Sequence, residues 1–347
     1  MKLSRIIVYG LFGEYDYEIC LDKDELTFIH SPNGMGKSTV MKLVNDVLNG
    51  HLEPVRTTSF ERLDLDFADG SSLIVENDNH ELTIQMSRNE LEEEVSPNDL
   101  TKILKCTYIS PDRAYAVGPD GTIVPALSVY MRELSENIRE SYADVKLRDV
   151  PKEGKELTDP ELDNLFKDLV AKMEFIRQTG QEPELPAGYR LPPSRYEISQ
   201  YPEDYRAFAR SLKDWCERHY RFAENLIVFK DIVNSVFENK TVDFNEAGYL
   251  ESKMDRSGIT VAVDKFSSGE KQILTLFYIL LFKVEPGSLV IIDEPEVSLH
   301  VSWQQRLGKL ISDVARVRTL SVIVATHAPA VIHDGWDKAV ELCNIRE

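Results

Sequence analysis

The stretch SPNGMGKST at positions 31–39 constrains the fold of this chain more than any other. It matches the phosphate-binding pattern G-x-x-x-x-G-K-[ST], except that Ser31 replaces the first glycine. The preceding run ELTFIH (25–30) predicts a strand, and the following KSTVMKLVNDVLNG repeats its apolar residues at helical spacing. The pattern therefore lies between a strand and a helix, which is the context that a phosphate-binding loop requires.

A loop of this kind binds phosphate because successive backbone N–H groups and a helix N-terminus point at the anion. Lys37 is expected to reach the β- and γ-phosphates, and Ser38 to bind Mg²⁺. Three interpretations are open for the loop taken alone: a working nucleotide site, a decayed one, and an ordinary Asn-Gly turn. Serine is small, so its presence at position 31 threatens the loop less than loss of Gly36 or Lys37 would. The residues expected to hold the nucleotide are Asn33, Gly34, Met35, Gly36, Lys37, Ser38 and Thr39.

A second motif is LVIIDEPEVSLH at 289–300. Its apolar run predicts a strand buried on both faces, which delivers Asp293 and Glu294 to the carboxyl edge of a parallel sheet, where ligands bind. Asp293 suits the Mg²⁺ shell, and Glu294 can act as the general base on an attacking water. The alternative is that both acids only cap the helix that follows.

Two further stretches are weaker when taken singly. FSSGEKQ (266–272) places Ser267, Ser268 and Gly269 before a helix, where hydroxyl and N–H groups could meet an anion. The same pattern also fits an ordinary helix cap. ATHAPAVI (325–332) places His327 after a buried strand, from which it could contact a γ-phosphate or the attacking water, although a lone histidine there can be structural.

The four stretches follow one another in the order of an ABC-type ATPase, and the chain resembles the SMC/Rad50/RecF and OLD-like branch of that class over about residues 1–125 and 240–347. The resemblance implies an α/β fold: an ABC-type P-loop NTPase head with an antiparallel β-subdomain and an inserted α-helical arm. It implies ATP and Mg²⁺ as cofactors. It further implies slow or regulated ATP hydrolysis, with Lys37, Glu294 and His327 as catalytic residues.

The resemblance also assigns roles that no single motif would suggest. Ser267, Ser268 and Gly269 become the signature motif, which in this class faces the nucleotide held by a second subunit. Residues 297–300 become the D-loop, with His300 where transporters usually carry Asp. The family's glutamine loop is expected at YISPDR (108–113), which contains no glutamine, and Gln85 is a less plausible candidate.

The pattern changes character along the chain and predicts three parts. They are residues 1–126 (ATPase lobe I with the P-loop), 127–239 (an inserted helical arm) and 240–347 (lobe II with signature, Walker B and His switch). From Leu212 to Val236 apolar residues alternate steps of three and four, which predicts a helix near 205–238, roughly 50 Å long. An ordinary helical subdomain packed on the core fits 127–239 equally well. The helix expected to pair with it carries Leu162, Phe166, Leu169, Met173 and Ile176.

Charge and composition limit the partners and the cellular location that are expected for this protein. The net charge of −19 opposes non-specific DNA binding, so nucleic acid is expected only in an assembled complex. No run approaches the roughly 18–20 apolar residues that a membrane helix needs, and the N-terminus lacks signal-peptide features. The four cysteines lie far apart, which favours a reduced cytoplasmic protein without a zinc or disulfide framework.

The function that these observations favour is an ATPase that dimerises, or forms a higher oligomer, around MgATP. It would switch or scaffold an effector in trans, through the helical arm or the outer surface. A nuclease or toxin of an anti-phage defence system is the expected effector, because the roughly 20 residues after His327 leave no room for a nuclease domain. The alternative is a RecF/Rad50-like repair or recombination ATPase that acts on DNA directly. A transporter nucleotide-binding subunit and a non-hydrolysing ATP binder are weaker alternatives.

Overall fold

A computed structural model describes residues 1–22, 25–88, 91–117, 122–152 and 156–345. Contacts divide the chain into two compact units, one of residues 1–116 with 267–347 and one of residues 117–266. The sequence placed 240–266 with the second ATPase lobe, whereas in the structure this segment belongs to the second unit. The reason is that its strands hydrogen-bond with one another and one of them is tied to a long helix of that unit.

The strands, in chain order, are β1 (Leu3–Leu11), β2 (Tyr15–Cys20), β3 (Leu26–His30), β4 (Arg62–Phe67), β5 (Ser72–Asp78), β6 (Glu81–Arg88), β7 (Leu91–Glu94), β8 (Cys106–Ile109), β9 (Tyr115–Val117), β10 (Ile123–Pro125), β11 (Lys240–Phe244), β12 (Leu250–Met254), β13 (Thr260–Val261), β14 (Leu289–Asp293), β15 (Ser321–Thr326) and β16 (Ala339–Glu341).

The α-helices are α1 (Lys37–Leu48), α2 (Leu52–Thr57), α3 (Pro97–Ile103), α4 (Ala126–Ala143), α5 (Asp159–Arg177), α6 (Arg195–Gln200), α7 (Pro202–Val236), α8 (Ser268–Tyr278), α9 (Val301–Arg318) and α10 (Pro329–Ile332). A π-helical turn (Ile279–Lys283) continues α8, and 3₁₀ turns occupy Val263–Lys265 and Trp336–Lys338.

The first unit contains a parallel sheet of order β16-β3-β15-β14-β8. Every residue of β14 is buried, as expected for a central strand whose two faces are both covered. The pairing of Thr326 with His30 and of Asp293 with Ala325 aligns the carboxyl ends of β3, β15 and β14. This edge therefore collects the residues that follow each of the three strands.

An antiparallel sheet of order β2-β1-β4-β5-β6-β7 completes the first unit. Its inward residues, such as Ile6 and Leu65, share one buried core with Val40 and Val44 of α1. Side chains of a strand alternate between faces, and Ile7 and Asp64, which pair with each other on the other face of the sheet, are buried as well. Through the shared core, helix α1 is fixed against both sheets, directly after the loop at 31–36.

The second unit is built around α7. The predicted partner positions on α5 are all buried and pack with residues of α7 between Tyr205 and Ala223. The predicted seam drifts at one point, where Phe222 is half-buried and Ala223 is buried in its place. In a straight helix with 3.6 residues per turn, a stripe of residues repeating every 3.5 positions gradually rotates away from the buried face. The buried position then moves to the next residue along the chain, as it does from Phe222 to Ala223.

Strands β11, β12 and β13 form a small antiparallel sheet in the second unit. The Asn234 side chain of α7 accepts from the Val242 N–H at 2.7 Å and donates to its carbonyl at 2.9 Å. These bonds anchor β11 to the helix. Across the part of the chain that the structure describes, no helix is both long and apolar enough to cross a membrane.

Candidate functional site

The phosphate-binding loop joins β3 to α1, as its sequence predicted. Gly34 and Gly36 adopt φ values of 88° and 77°, a left-handed conformation that L side chains rarely adopt. A Cβ atom on Gly36 would lie 2.8 Å from Leu11 Cδ2, so this position also requires glycine for space. The Met35 carbonyl accepts from the Tyr17 hydroxyl at 2.7 Å, which ties the loop to β2.

Lys37 is buried, and its ammonium turns back onto the start of the loop. Nζ donates to the Ser31 carbonyl at 2.7 Å, to Ser31 Oγ at 3.1 Å and to the Pro32 carbonyl at 3.2 Å. Burial lowers the pKa of Lys37, an effect that the nearby carboxylates of Glu294, Asp293 and Glu296 oppose. The residue that replaces the first glycine thus supplies two of the three oxygens that the ammonium contacts.

Asp293 ends β14 and is 1% exposed. Its Oδ2 accepts from the Tyr108 hydroxyl at 2.6 Å, whereas its Oδ1 has no hydrogen-bond partner among the described residues. A buried carboxylate oxygen without a partner is costly and uncommon in folded proteins. Oδ1 is therefore available to a ligand. Burial and the hydrogen bond to Asp293 raise the pKa of the Tyr108 hydroxyl above its ordinary value.

Glu294 and His327 meet at the carboxyl edge of the parallel sheet. Glu294 adopts a φ of 44°, and its N–H donates to the Ala325 carbonyl at 2.8 Å. Its Oε1 lies 3.3 Å from His327 Nδ1. A non-glycine residue with a left-handed backbone stores strain, which occurs often at functional sites. The structure thus brings together the predicted base and the predicted histidine.

A cavity of about 350 Å³ lies at the start of the loop. Ser31 and Asn33 line one side and His327 another, so the loop and the histidine face the same space. Ser38 and Thr39 occupy the first turn of α1 and are half-buried. The remaining lining residues are His30, Pro32, Pro329, Ile332 and Trp336.

Three residues at this edge were given no role from the sequence. They are Tyr108, Arg113 and Glu296. Tyr108 and Arg113 lie in the segment where a glutamine was expected, and Arg113 donates to the Pro295 carbonyl at 2.8 Å. Burial lowers the pKa of Arg113 to about 10, although Glu296 opposes the change. Gln85 lies in β6, within the antiparallel sheet. The spacing D-E-P-E in the sequence could have drawn attention to Glu296.

The predicted signature residues, Ser267, Ser268 and Gly269, lie elsewhere on the same unit. The Ser267 side chain accepts from the Glu270 N–H at 3.3 Å, and the Glu270 carboxylate accepts from the Ser267 N–H at 2.8 Å, so the pair caps α8. A Cβ atom on Gly269 would lie 2.7 Å from the Ser298 carbonyl oxygen, which places α8 against the predicted D-loop. Within the described ranges, no hydrogen bond joins Ser267, Ser268 or Gly269 to the loop at 33–39.

Comparison with known families decides the class of this chain. The family described as "AAA domain, putative AbiEii toxin, Type IV TA system" matches residues 32–333, which is most of the sequence. The chain belongs to this family. The match includes the phosphate-binding loop from Pro32, the D-E pair and His327, so all of the motifs discussed above lie within it except Ser31.

One curated relative of this AAA-family chain is the "Retron Ec83 probable ATPase" of Escherichia coli. The two are 27% identical over 143 residues, which is 38% of this chain and 26% of that protein. The chain thus matches about a quarter of the relative's length.

Two solved SMC head domains share the fold of this AAA-family chain. One is the Pyrococcus furiosus Smc head with an extended coiled coil bound to the C-terminal domain of ScpA, with a TM-score of 0.50, 11% identity and coverage of 98% of this chain and 93% of that one. The other is an Smc head bound to the C-winged helix domain of ScpA, with a TM-score of 0.54, 12% identity and coverage of 98% and 94%.

These likenesses confirm the predicted fold class and the resemblance to ABC-type ATPases with SMC-like heads. At identities this low the solved structures show the fold alone.

Proposed function

We propose that this chain binds MgATP at the edge of the parallel sheet and hydrolyses it. The observation that carries the proposal is the position of Asp293 and Glu294 at the end of β14, at the same sheet edge where β3 leads into the loop before Lys37. The family match supports the same conclusion, because the loop and the acidic pair both lie inside it.

ATP binding would replace the hydrogen-bond acceptors of the Lys37 ammonium. Its ammonium has three protein oxygens as acceptors, and phosphate oxygens would replace them. The N–H groups of the loop and the N-terminus of α1 would hold the same phosphates. The buried position of Lys37 strengthens its attraction to phosphate because little water screens the charge.

Asp293 and Ser38 would hold Mg²⁺, which would neutralise phosphate charge as the bond to the leaving group breaks. The unpartnered Oδ1 of Asp293 fits this assignment. No cluster of three or more His, Cys, Asp or Glu side chains able to hold a metal occurs among the residues that the structure describes. Mg²⁺ usually keeps waters and phosphate oxygens as most of its ligands, so one or two protein side chains would be enough to hold it.

Glu294 would accept a proton from the attacking water while the water oxygen bonds to the γ-phosphorus and ADP departs. His327, 3.3 Å from that carboxylate, would contact the same water or the γ-phosphate. Both side chains are partly exposed, so a nucleotide could reach them.

The test compares ATP binding and hydrolysis by the wild type, Glu294→Gln and Lys37→Ala. We expect Glu294→Gln to bind ATP but to lose at least about a hundredfold in kcat, since general bases contribute roughly 10²–10⁴-fold. Lys37→Ala should lose ATP binding. Glu53→Gln, on the exposed surface of α2, is the matched control. Equal hydrolysis by the wild type and Glu294→Gln would refute the assignment.

We further propose that two copies close around two ATP molecules. Ser267 and Ser268 are exposed and make no hydrogen bond to the loop of their own chain among the described residues, which leaves them available to a nucleotide on a second copy. ATP binding would close the pair and hydrolysis would open it.

The effector that such closure would control is a separate protein. The family description names a toxin–antitoxin system, which suits a role in defence, and the net charge of −19 suits a protein partner better than free DNA. Co-expression with the product of the neighbouring gene, with wild type or Glu294→Gln, should change that product's activity. Retention of duplex DNA by the purified protein at physiological salt would favour the repair-type alternative instead.

A further inference from the structure

A second carboxylate stands beside His327 and has no role in the mechanism above. Glu296 is 5% exposed, and its Oε1 lies 3.5 Å from His327 Nδ1. Glu294 reaches the same nitrogen from 3.3 Å. Two carboxylates, one buried and one partly exposed, therefore contact the same ring nitrogen.

Glu296 also fixes the backbone from which His327 extends. Its Oε1 accepts from the Thr326 hydroxyl at 2.5 Å and from the His327 N–H at 3.2 Å. Thr326 is fully buried at the end of β15. A single carboxylate oxygen thus contacts the strand end, the histidine backbone and the imidazole.

The turn that carries Glu296 is itself held in place. Arg113 is 5% exposed and donates to the carbonyl of Pro295. Glu294, on the other side of that proline, is fixed through its N–H to Ala325. The turn therefore has little freedom to move Glu296 away from the histidine.

The two hydrogen bonds that Glu296 accepts, from the Thr326 hydroxyl and the His327 N–H, do not by themselves require a charged side chain. A glutamine could accept from Thr326 and from the His327 N–H equally well, and a buried carboxylate costs more to desolvate. The Oε2 atom also lacks a hydrogen-bond partner among the described residues. The carboxylate opposes the lowering of the pKa values of Arg113 and Lys37, but its own hydrogen bonds and its nearest ring contact are all with Thr326 and His327. This geometry indicates a role exerted through the imidazole.

We propose that Glu296 is a positioning residue for His327. It holds the imidazole by sharing the Nδ1 contact with Glu294, so that His327 does not pair solely with the base and leaves Glu294 able to accept a proton from water. The consequence for hydrolysis rests on the proposed function; the position of the imidazole does not.

The first measurement requires no nucleotide. NMR of the histidine rings resolves the seven histidines, and His327→Ala identifies the signal of His327. Glu296→Gln should shift and broaden that signal and leave the other rings unchanged. Thr326→Val, which removes one hydroxyl and keeps the side-chain shape, should act in the same direction but less strongly.

Asp64→Asn is the matched control, because Asp64 is also a buried carboxylate (8% exposed) but lies in β4 and pairs with Arg62. It should leave the His327 signal in place. An unmoved His327 signal in Glu296→Gln overturns the proposal.

The second measurement is a double-mutant cycle in kcat. Glu296→Gln should lower kcat roughly tenfold, as loss of a supporting contact commonly does, with little change in the KM for ATP. Residues that act through one another are not additive, so Glu296→Gln with His327→Ala should match His327→Ala alone. If the double variant lowered kcat by the product of the two single factors, the positioning role would be overturned. A wild type without hydrolysis would refute the proposed function only, because the ring signals still decide the inference.

Discussion

Ser31 departs from the glycine of the usual phosphate-binding pattern, yet its side chain joins the hydrogen bonding of the loop. The Lys37 ammonium donates to both the carbonyl and the hydroxyl of Ser31. Only the hydroxyl depends on the side chain, so a glycine would retain the shorter bond. The substitution is therefore a small change in the partners of Lys37, and Gly34 and Gly36 keep the conformations that the loop requires.

We predict that Ser31→Gly leaves the Kd for ATP within about twofold, because phosphate must in any case displace these oxygens. Lys37→Ala should weaken ATP binding by about 30-fold or more, since truncating a buried charge costs at least about 2 kcal/mol. Calorimetric titration in a Glu294→Gln background measures both. A large gain in affinity from Ser31→Gly would mean that the native loop is impaired.

Tyr108 lies where a glutamine was expected and orients Asp293 through one hydroxyl. We predict that Tyr108→Phe raises the Mg²⁺ concentration needed for half-maximal ATP binding by about tenfold, since supporting hydrogen bonds around a metal ligand contribute on that order. The ring remains, so packing changes little.

Tyr115→Phe is the control for this change, because Tyr115 is 62% exposed and, within the described structure, makes no hydrogen bond with Asp293. An unaltered Mg²⁺ requirement in Tyr108→Phe would show that the hydroxyl is not needed to orient Asp293.

At the scale of elements, a buried polar network ties α4 and α7 together in the second unit. His219 of α7 is stacked on Trp215, and its Nδ1 lies 3.1 Å from Ser141 Oγ and 3.0 Å from Gln181 Oε1. Its Nε2 lies 3.4 Å from Asp144 Oδ2, and Arg218 also contacts that carboxylate. Burial lowers the pKa of His219, with Asp144 opposing and Arg218 adding to the change.

This network gives a pH dependence with a definite sign. The folded protein keeps His219 neutral to lower pH than the unfolded chain does, so unfolding takes up a proton below the ordinary value of 6.5. The contribution of His219 to stability is complete above that pH and is lost as the pH falls through the window below it.

We predict that Tm falls less steeply between about pH 7 and 5 in His219→Gln than in the wild type, because the variant has no group at this position to protonate. Differential scanning calorimetry measures the two slopes. His51→Gln, whose side chain is 64% exposed, should keep the wild-type slope. Parallel curves for His219→Gln and the wild type would contradict the prediction.

At the scale of the whole molecule, the proposal divides the nucleotide site between two copies of the chain. The loop at 33–39 and the residues Ser267, Ser268 and Gly269 share no hydrogen bond in the described structure. Under the proposed arrangement a complete site would need a second copy, so association would depend on ATP.

We predict that ATP with Mg²⁺ shifts Glu294→Gln from the 39.6 kDa monomer to at least twice that mass. A Ser268→Arg change on this background should prevent the shift and retain ATP binding, because the added bulk would face the partner's nucleotide. Light scattering with size-exclusion chromatography measures the mass, and Ser257→Arg, on an exposed turn, is the control. Association of Ser268→Arg with unchanged affinity would refute the arrangement.

The sequence by itself determined the parts of this protein that are local. A strand, a glycine-bearing loop and a helix are consecutive, so the geometry around Lys37 follows from neighbouring residues. The apolar run of β14 likewise predicts a strand buried on both faces, because burial of both faces removes the alternation of polar and apolar residues.

Only the tertiary structure decided which distant residues support the site. Tyr108 reaches Asp293 across 185 positions and Arg113 reaches Pro295 across 182, because β8 and β14 are neighbours in the parallel sheet. Glu296 meets Thr326 because β14 and β15 are neighbours as well. Strand order depends on long-range hydrogen bonding, which leaves no periodicity in the sequence. The placement of 240–266 in the second unit also came only from the structure, where the bonds between Asn234 and Val242 tie β11 to α7.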